Sequence, residues 1–113
     1  MVERISDDDL TLILKAASDP TRRAILTLLA QQGPLTVGVI RGHFSLSLNA
    51  ISKHIKVLEA AGLVGRRTEW RTHYIEITPG SLTAIDQWFA ELRSIWVQRL
   101  EALNNLITKG PDT

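Results

Sequence analysis

Apolar residues recur at spacings of three and four along most of this chain, and one stretch near the middle alternates instead. Leu10, Ile13, Leu14 and Ala17 share one face of a first predicted helix over Asp7–Ser18. Asp7, Asp8 and Asp9 crowd its start, where carboxylates favour the positive end of the helix dipole. They read either as capping with solvated charge or as cation ligands. Ser18-Asp19-Pro20 breaks the pattern and begins a second helix, with Asp19 as N-cap and Pro20 at the first helical position. That helix runs to about Gln32 and turns Ile25, Leu28 and Leu29 inward. Arg22 and Arg23 lie in its first turn, a poor place for cations. They meet acidic residues or a phosphate, or they are solvated.

Gly33-Pro34 makes a turn, Leu35-Thr36 is a candidate short strand, and Val37–Phe44 reads as a third, short helix with Val37, Ile40 and Phe44 inward. After Ser45-Leu46 comes the most informative stretch, Ser47–Ala61. Ile51, Ile55 and Leu58 form its apolar stripe. Asn49, Ser52, Lys53 and Lys56 form a second stripe that is polar and basic. Ser47 is suited to cap the helix start and Gly62 to stop its end. One face is built to pack, the other to meet negative charge and hydrogen-bonding edges. Helix, short turn and amphipathic helix over residues 37–61 is the helix-turn-helix pattern.

Residues 63–77 read as a β-hairpin. Thr72, Tyr74 and Glu76 alternate with His73, Ile75 and Ile77, and Arg66, Arg67 and Arg71 cluster at its tip. A basic hairpin after a basic helix predicts a winged helix-turn-helix, mainly α with one small β-hairpin, in the order α-α-α-α-β-β-α. Trp70 either stacks or wedges against nucleic acid or pins the hairpin loop. Thr78-Pro79-Gly80 ends the hairpin, and a long final helix is predicted over residues 81–108. Its stripe is Leu82, Ile85, Trp88, Phe89, Leu92, Trp96, Leu100 and Leu103, flanked by Ile95, Leu106 and Ile107. A stripe of that length exceeds what a small domain buries, and an exposed apolar patch marks an interface. A symmetric homodimer through Leu10, Ile13, Leu14 and this stripe is the expectation; a stripe folded back on its own chain is the alternative. Lys109–Thr113 reads as a frayed tail.

Composition narrows the chemistry. At 113 residues, the chain is expected to be one domain over 1–113, with 7–18 and 81–108 as dimerisation helices. The net charge of +1 conceals an asymmetry. Residues 38–73 carry six cations (Arg41, Lys53, Lys56, Arg66, Arg67, Arg71) against Glu59 and Glu69, a balance of +4 that favours a polyanion. There is no cysteine, which removes disulfides and thiolate chemistry. Nor is there a phosphate-binding glycine loop or a serine in a His/Asp setting, so an enzyme is not expected. No apolar run approaches the roughly 20 residues that span a bilayer, and a cytoplasmic protein without membrane contact is the default.

Three segments resemble the ArsR-type (arsenic-repressor-like) family of winged-helix transcriptional repressors. They are DPTRRAILTLL (19–29), ISKHIKVLEAAGLV (51–64) and RRTEWRTHYIEITP (66–79), and with the terminal helices the resemblance covers residues 8–108. It implies a dimer on a palindromic double-stranded operator, with repression relieved by an inducer. Metal-sensing members carry cysteines at the start of the third helix, where Thr36 and Gly38 stand here, or histidine and carboxylate ligands on the last helix, which has no histidine in this chain. His43, His54 and His73 are dispersed. No metal, and no other cofactor, is expected; any inducer would be an unknown small molecule or protein. The expected contacts are Asn49, Ser52 and Lys53 to base edges, with Arg41, Ser47, His54, Lys56, Arg66, Arg67, Arg71 and Trp70 around them on the backbone. His54 either reaches a phosphate or bonds to the protein, and Leu48 either meets a thymine methyl or packs. A protein-interaction adaptor on the same scaffold is the alternative function.

Overall fold

The computed structural model describes residues 7–108; the tail expected at Lys109–Thr113 lies outside them. Five helices and one hairpin follow in order: α1 (Asp7–Ala17), α2 (Pro20–Gln32), α3 (Val37–Arg41), α4 (Leu48–Ala60), β1 (Val64–Glu69), β2 (Thr72–Ile77) and α5 (Thr83–Thr108). The chain divides into two compact units at Leu82/Thr83, so that α5 forms a unit by itself. No described helix is long and apolar enough to cross a membrane.

Local chemistry sets the helix ends of the first unit. The Asp19 carboxylate accepts from the backbone N–H of Arg22 at 3.0 Å, with Pro20 behind it opening α2. Thr36 caps α3 by accepting from Val39 N, and Ser47 caps α4 by accepting from Ala50 N at 3.1 Å. At the far end of α4, Gly62 takes φ +76°, a conformation that costs a side-chain-bearing residue steric strain. Its N–H donates to Glu59 O (2.9 Å) and the N–H of Leu63 to Leu58 O (3.0 Å), while Leu58 and Leu63 are both fully buried. This double bond with its apolar clasp is a Schellman ending. α3 is shorter than the expected 37–44. Beyond Arg41 the chain tightens, with His43 N–H on Ile40 O and Phe44 N–H on Arg41 O, both at three-residue spacing.

Ile25, Ile40, Ile51, Ile55, Leu58, Leu63 and Ile75 are the largest fully buried side chains, so α2, α3, α4 and β2 contribute to one core, with buried Val64 of β1 beside them. Ile13 and Ala16 of α1 join it at 5% and 0% exposure. That corrects the dimer expectation for Ile13, which its own chain uses up; Leu12 and Leu14 are exposed instead. β1 and β2 pair antiparallel from Val64↔Ile77 to Glu69↔Thr72, leaving Trp70-Arg71 as a two-residue turn. The expected strand at Leu35-Thr36 reduces to a single bridge, in which Leu35 and Ile75 exchange hydrogen bonds of 3.0 and 2.7 Å. That bridge ties the start of the helix-turn-helix to the base of the wing.

The second unit is α5, 26 residues long. Phe89, Leu92, Ile95, Trp96, Leu100, Leu103, Leu106 and Ile107 are all exposed. Trp88 and Phe89 contact each other with ring centroids 5.3 Å apart.

Candidate nucleic-acid interface

α4 carries the strongest contrast of faces in the described chain. Ile51, Ile55 and Leu58 are fully buried, while Leu48, Asn49, Lys53, Lys56 and Val57 are exposed and Ser52 is half-exposed. The polar members of this outer face, Asn49, Ser52, Lys53 and Lys56, make no side-chain hydrogen bond or ion pair with any described residue. Their donors and acceptors stay available to an outside partner. Leu48 does not pack on the core; at 53% exposure it stands at the head of the same face. Ser47 stands beside it, its hydroxyl oxygen engaged as the cap. An open depression of about 460 Å³ precedes the helix, lined by Arg41, Gly42, Phe44, Ser45, Leu46 and Ser47. Arg41 spans it with one long contact, Nε to Leu46 O at 3.4 Å. This cation therefore lies beside the N-terminal end of that outer face.

The wing differs from its expected form in charge. Arg66 is not at the tip. It pairs across from Ile75 and reaches back to the last turn of α4, where Nε and Nη2 grip Glu59 at 2.8 and 3.0 Å in a two-pronged pair. Arg67 donates to Glu69 and, at 3.3 Å, to Glu76, and lies over the Tyr74 ring at 5.4 Å. Glu69 first and Glu76 second hold the Arg67 guanidinium even more firmly protonated than usual. Both arginines are thus matched by carboxylates, and the hairpin presents far less free positive charge than its arginine count suggests. Thr68 and His73 join across the strands at 2.9 Å.

What remains at the tip is Trp70 and Arg71. Trp70 is 89% exposed and, among the described residues, is the one non-glycine residue with positive φ, at 62°. It pins nothing. A two-residue hairpin turn with positive φ at its first central position favours glycine there, so the tryptophan stands in the turn at the expense of backbone comfort. Such strain gathers where a side chain is needed in a set place. Arg71 makes no ion pair with a described residue.

His54 turns inward rather than toward the outer face. Its Nδ1 lies 3.3 Å from Arg22 Nη1 and 3.9 Å from Asp19 Oδ2. The shorter contact makes Nδ1 an acceptor and assigns the ring proton to Nε2; the longer one exceeds a hydrogen bond. Arg22 and Arg23, the two cations at a helix start, find partners within the protein. Arg22 Nε donates to Ala16 O at 2.8 Å and Nη2 to Lys15 O at 3.2 Å, and Arg23 Nη1 donates to Ala17 O at 2.7 Å. They satisfy the carbonyls that end α1. The Arg22 N–H holds the Asp19 carboxyl below its ordinary 3.8; desolvation opposes this, and the charge of Arg22 reinforces it. Arg22 was missed as part of the site. Its position at the start of α2 was the signal, since a cation placed against the dipole needs another partner.

Among the described residues no three His, Asp or Glu side chains group as a metal site. An apolar hollow of about 200 Å³, lined by Leu26, Thr27, Ala30, Ile77 and Leu82, is smaller than the roughly 300–1,000 Å³ of sites for drug-sized ligands.

The class of protein that this geometry defines is a winged helix-turn-helix. A helix-turn-helix domain family matches residues 17–67. The chain is similar to the HTH-type transcriptional regulator Rv2034 of Mycobacterium tuberculosis, 36% identical over 100 residues, which span 88% of this chain and 90% of that protein. Its fold is similar to the crystal structure of an ArsR family transcriptional regulator, with TM-score 0.74 and 33% identity, covering 83% of this chain and 96% of that one. It is also similar to the homodimeric winged helix-turn-helix DNA-binding domain Mb0332 of Mycobacterium bovis, with TM-score 0.60 and 27% identity, covering 89% and 95%. The chain belongs to the ArsR family of winged helix-turn-helix transcriptional regulators.

Proposed function

We propose that this chain acts as a homodimeric transcriptional repressor in which α4 reads base edges in the major groove and the wing tip flanks it. The observation that carries this is the outer face of α4: four polar side chains in helical register, unengaged by the described protein, on a helix whose opposite face is fully buried. Asn49 suits adenine and Lys53 guanine, since each can present paired donors and acceptors or donors alone to the major-groove edge. Ser52 lies between them. Arg41, Lys56 and Arg71 take phosphates, Ser47 and Leu48 lie at the helix entry, and Trp70 meets the flanking groove. Arg66 and Arg67 hold the wing in place rather than supply charge. The dimer is supported by the exposed stripe of α5 and by the homodimeric relative. It would set two α4 helices about 34 Å apart on a two-fold-symmetric site. As one domain over 1–113, the chain would thus use residues 37–61 to read, 63–77 to flank and α5 to pair, in the cytoplasm and away from membranes.

No enzymatic step enters this reading, and neither does a metal. The chain has no cysteine, and its histidines do not converge. An inducer, if one acts, is a small molecule or a protein.

The test is footprinting of the DNA upstream of its own gene, followed by binding titrations on the protected duplex. Three cations per protomer placed on phosphates, Arg41, Lys56 and Arg71, give a dimer a slope of log K against log salt of about −5. Lys56→Ala, removing two phosphate contacts per dimer, lowers that slope by about 2. Arg67→Ala changes it much less, because that charge is already matched. A flat salt response would remove the proposal, and zinc added to the titration leaves the affinity unchanged. Failure to protect any DNA at low salt would favour the protein-interaction adaptor.

A further inference from the structure

One residue joins three helices of the first unit. Arg22 sits in the first turn of α2, and its guanidinium is divided between neighbours on either side. Nε and Nη2 hold the Ala16 and Lys15 carbonyls that end α1, and Nη1 reaches Nδ1 of His54 in the middle of α4. The Arg22 backbone N–H is held in turn by Asp19, so the side chain is fixed at its root as well as its end. His54 follows directly on Ser52 and Lys53, and its side chain is only 23% exposed. Rotation of α4 about its axis would move Lys53 and His54 together. The Arg22–His54 contact opposes such rotation from the side of the helix that the apolar stripe does not cover.

We infer that Arg22 is a positioning residue for DNA reading: through His54 it fixes the rotation of the readout helix against the end of α1. This rests on the proposal that the outer face of α4 reads DNA. Arg23 provides an internal contrast. It is the adjacent residue, has the same charge, and makes the same kind of bond to the end of α1 at Ala17 O, but it makes no side-chain hydrogen bond to α4. A purely structural role for these arginines would make their losses alike. A positioning role separates them.

A bond that fixes orientation discriminates between sequences more than it adds general affinity, because base edges demand register and phosphates tolerate slippage. The Arg22 guanidinium is spent on acceptors within the protein, so its removal should leave the salt slope unchanged. His54 acts as an acceptor here. Asparagine, with an oxygen in the place of Nδ1, can keep that role, and alanine cannot.

The experiment compares affinity for the protected upstream duplex and for an unrelated duplex of the same length, across a salt series, with melting temperature recorded beside it. The variants are Arg22→Ala, Arg23→Ala, His54→Ala, His54→Asn, Lys53→Ala, Lys56→Ala and the double variant Arg22→Ala/His54→Ala. Arg22→Ala and His54→Ala are each expected to lose about tenfold on the protected duplex and little on the unrelated one, with unchanged salt slopes. Their double variant loses no more than either alone. His54→Asn and Arg23→Ala keep the preference. Equal losses from Arg22→Ala and Arg23→Ala overturn the inference, as do additive losses in the double variant. A salt slope that falls for Arg22→Ala as it does for Lys56→Ala also overturns it. If Arg22→Ala does not fold, His54→Ala against His54→Asn decides, and equal affinities for those two overturn the inference. A preference lost with Lys53→Ala but untouched by the Arg22 and His54 variants sinks this inference alone. A wild-type chain with no preference between the duplexes sinks the readout proposal with it.

Discussion

Asp19 caps α2 with a charged oxygen and faces Arg22 and His54 besides, and the two roles separate by pH. Asparagine caps a helix about as well as aspartate, so Asp19→Asn removes the charge and keeps the cap. Because the folded carboxyl titrates below its ordinary value, its charge stabilises the native state above that ordinary value. The contribution is lost as pH falls through the lowered folded pKa. Melting temperatures of the two proteins should therefore differ most near neutral pH and converge as pH falls below the ordinary 3.8 and through the lowered folded value. A gap of constant size across that range would show that the charge has no part in it. At this scale the cap was legible, since Ser-Asp-Pro before an apolar period has few other readings. The partners of Arg22 and His54 were not. They lie 32 residues apart, and no local pattern links a first-turn arginine to the inner side of a later helix.

At the scale of elements, the bounds of α4 follow from residues adjacent in sequence: Ser47 before it, Gly62 after it and a stripe of three buried residues within. The wing was legible as a hairpin and misread as an arginine cluster. Alternation shows which face a strand residue takes, but it does not show which carboxylate lies across the sheet. Glu59 and Arg66 meet because the Schellman ending turns β1 back along α4. Glu76 meets Arg67 through strand register. The turn is only two residues long, which leaves Trp70 at φ 62°. Trp70→Gly should relieve the strain of a left-handed residue, about 1–2 kcal/mol, against about 0.5–1 kcal/mol of added backbone entropy. The net is a stabilisation of about 0.5–1 kcal/mol, read as a higher melting temperature. The same variant should bind the protected duplex more weakly, with an unchanged salt slope, because an uncharged contact is lost. A variant that is more stable and binds equally well would leave the strain at the tip without a function in DNA binding.

For the whole molecule, Ile13 and Trp96 were grouped from sequence as one dimer face, and the structure separates them by burial. Ile13 is 5% exposed and belongs to the core of the first unit; Trp96 is 57% exposed on α5. Helical spacing alone could not distinguish them, since a core stripe and an interface stripe have the same period. Ile13→Ala should therefore lower thermal stability by about 2–5 kcal/mol as a buried large-to-small change. Trp96→Ala should leave the protomer folded and act on assembly. A buried tryptophan at an interface is worth about 2–4 kcal/mol, so the dimer dissociation constant should rise on the order of 30- to 1,000-fold for one lost anchor. A two-fold axis loses two such anchors at once. In sedimentation the wild type should run as a dimer at concentrations where Trp96→Ala runs as a monomer with unchanged helical content. DNA binding would follow as a consequence. A monomer carries one α4, reads one half-site and forfeits the second contact, so binding should become steeply dependent on protein concentration while still preferring the same half-site sequence. If Trp96→Ala stays dimeric, the pairing face lies elsewhere, and Leu12 and Leu14, the exposed leucines of α1, are the next residues to change.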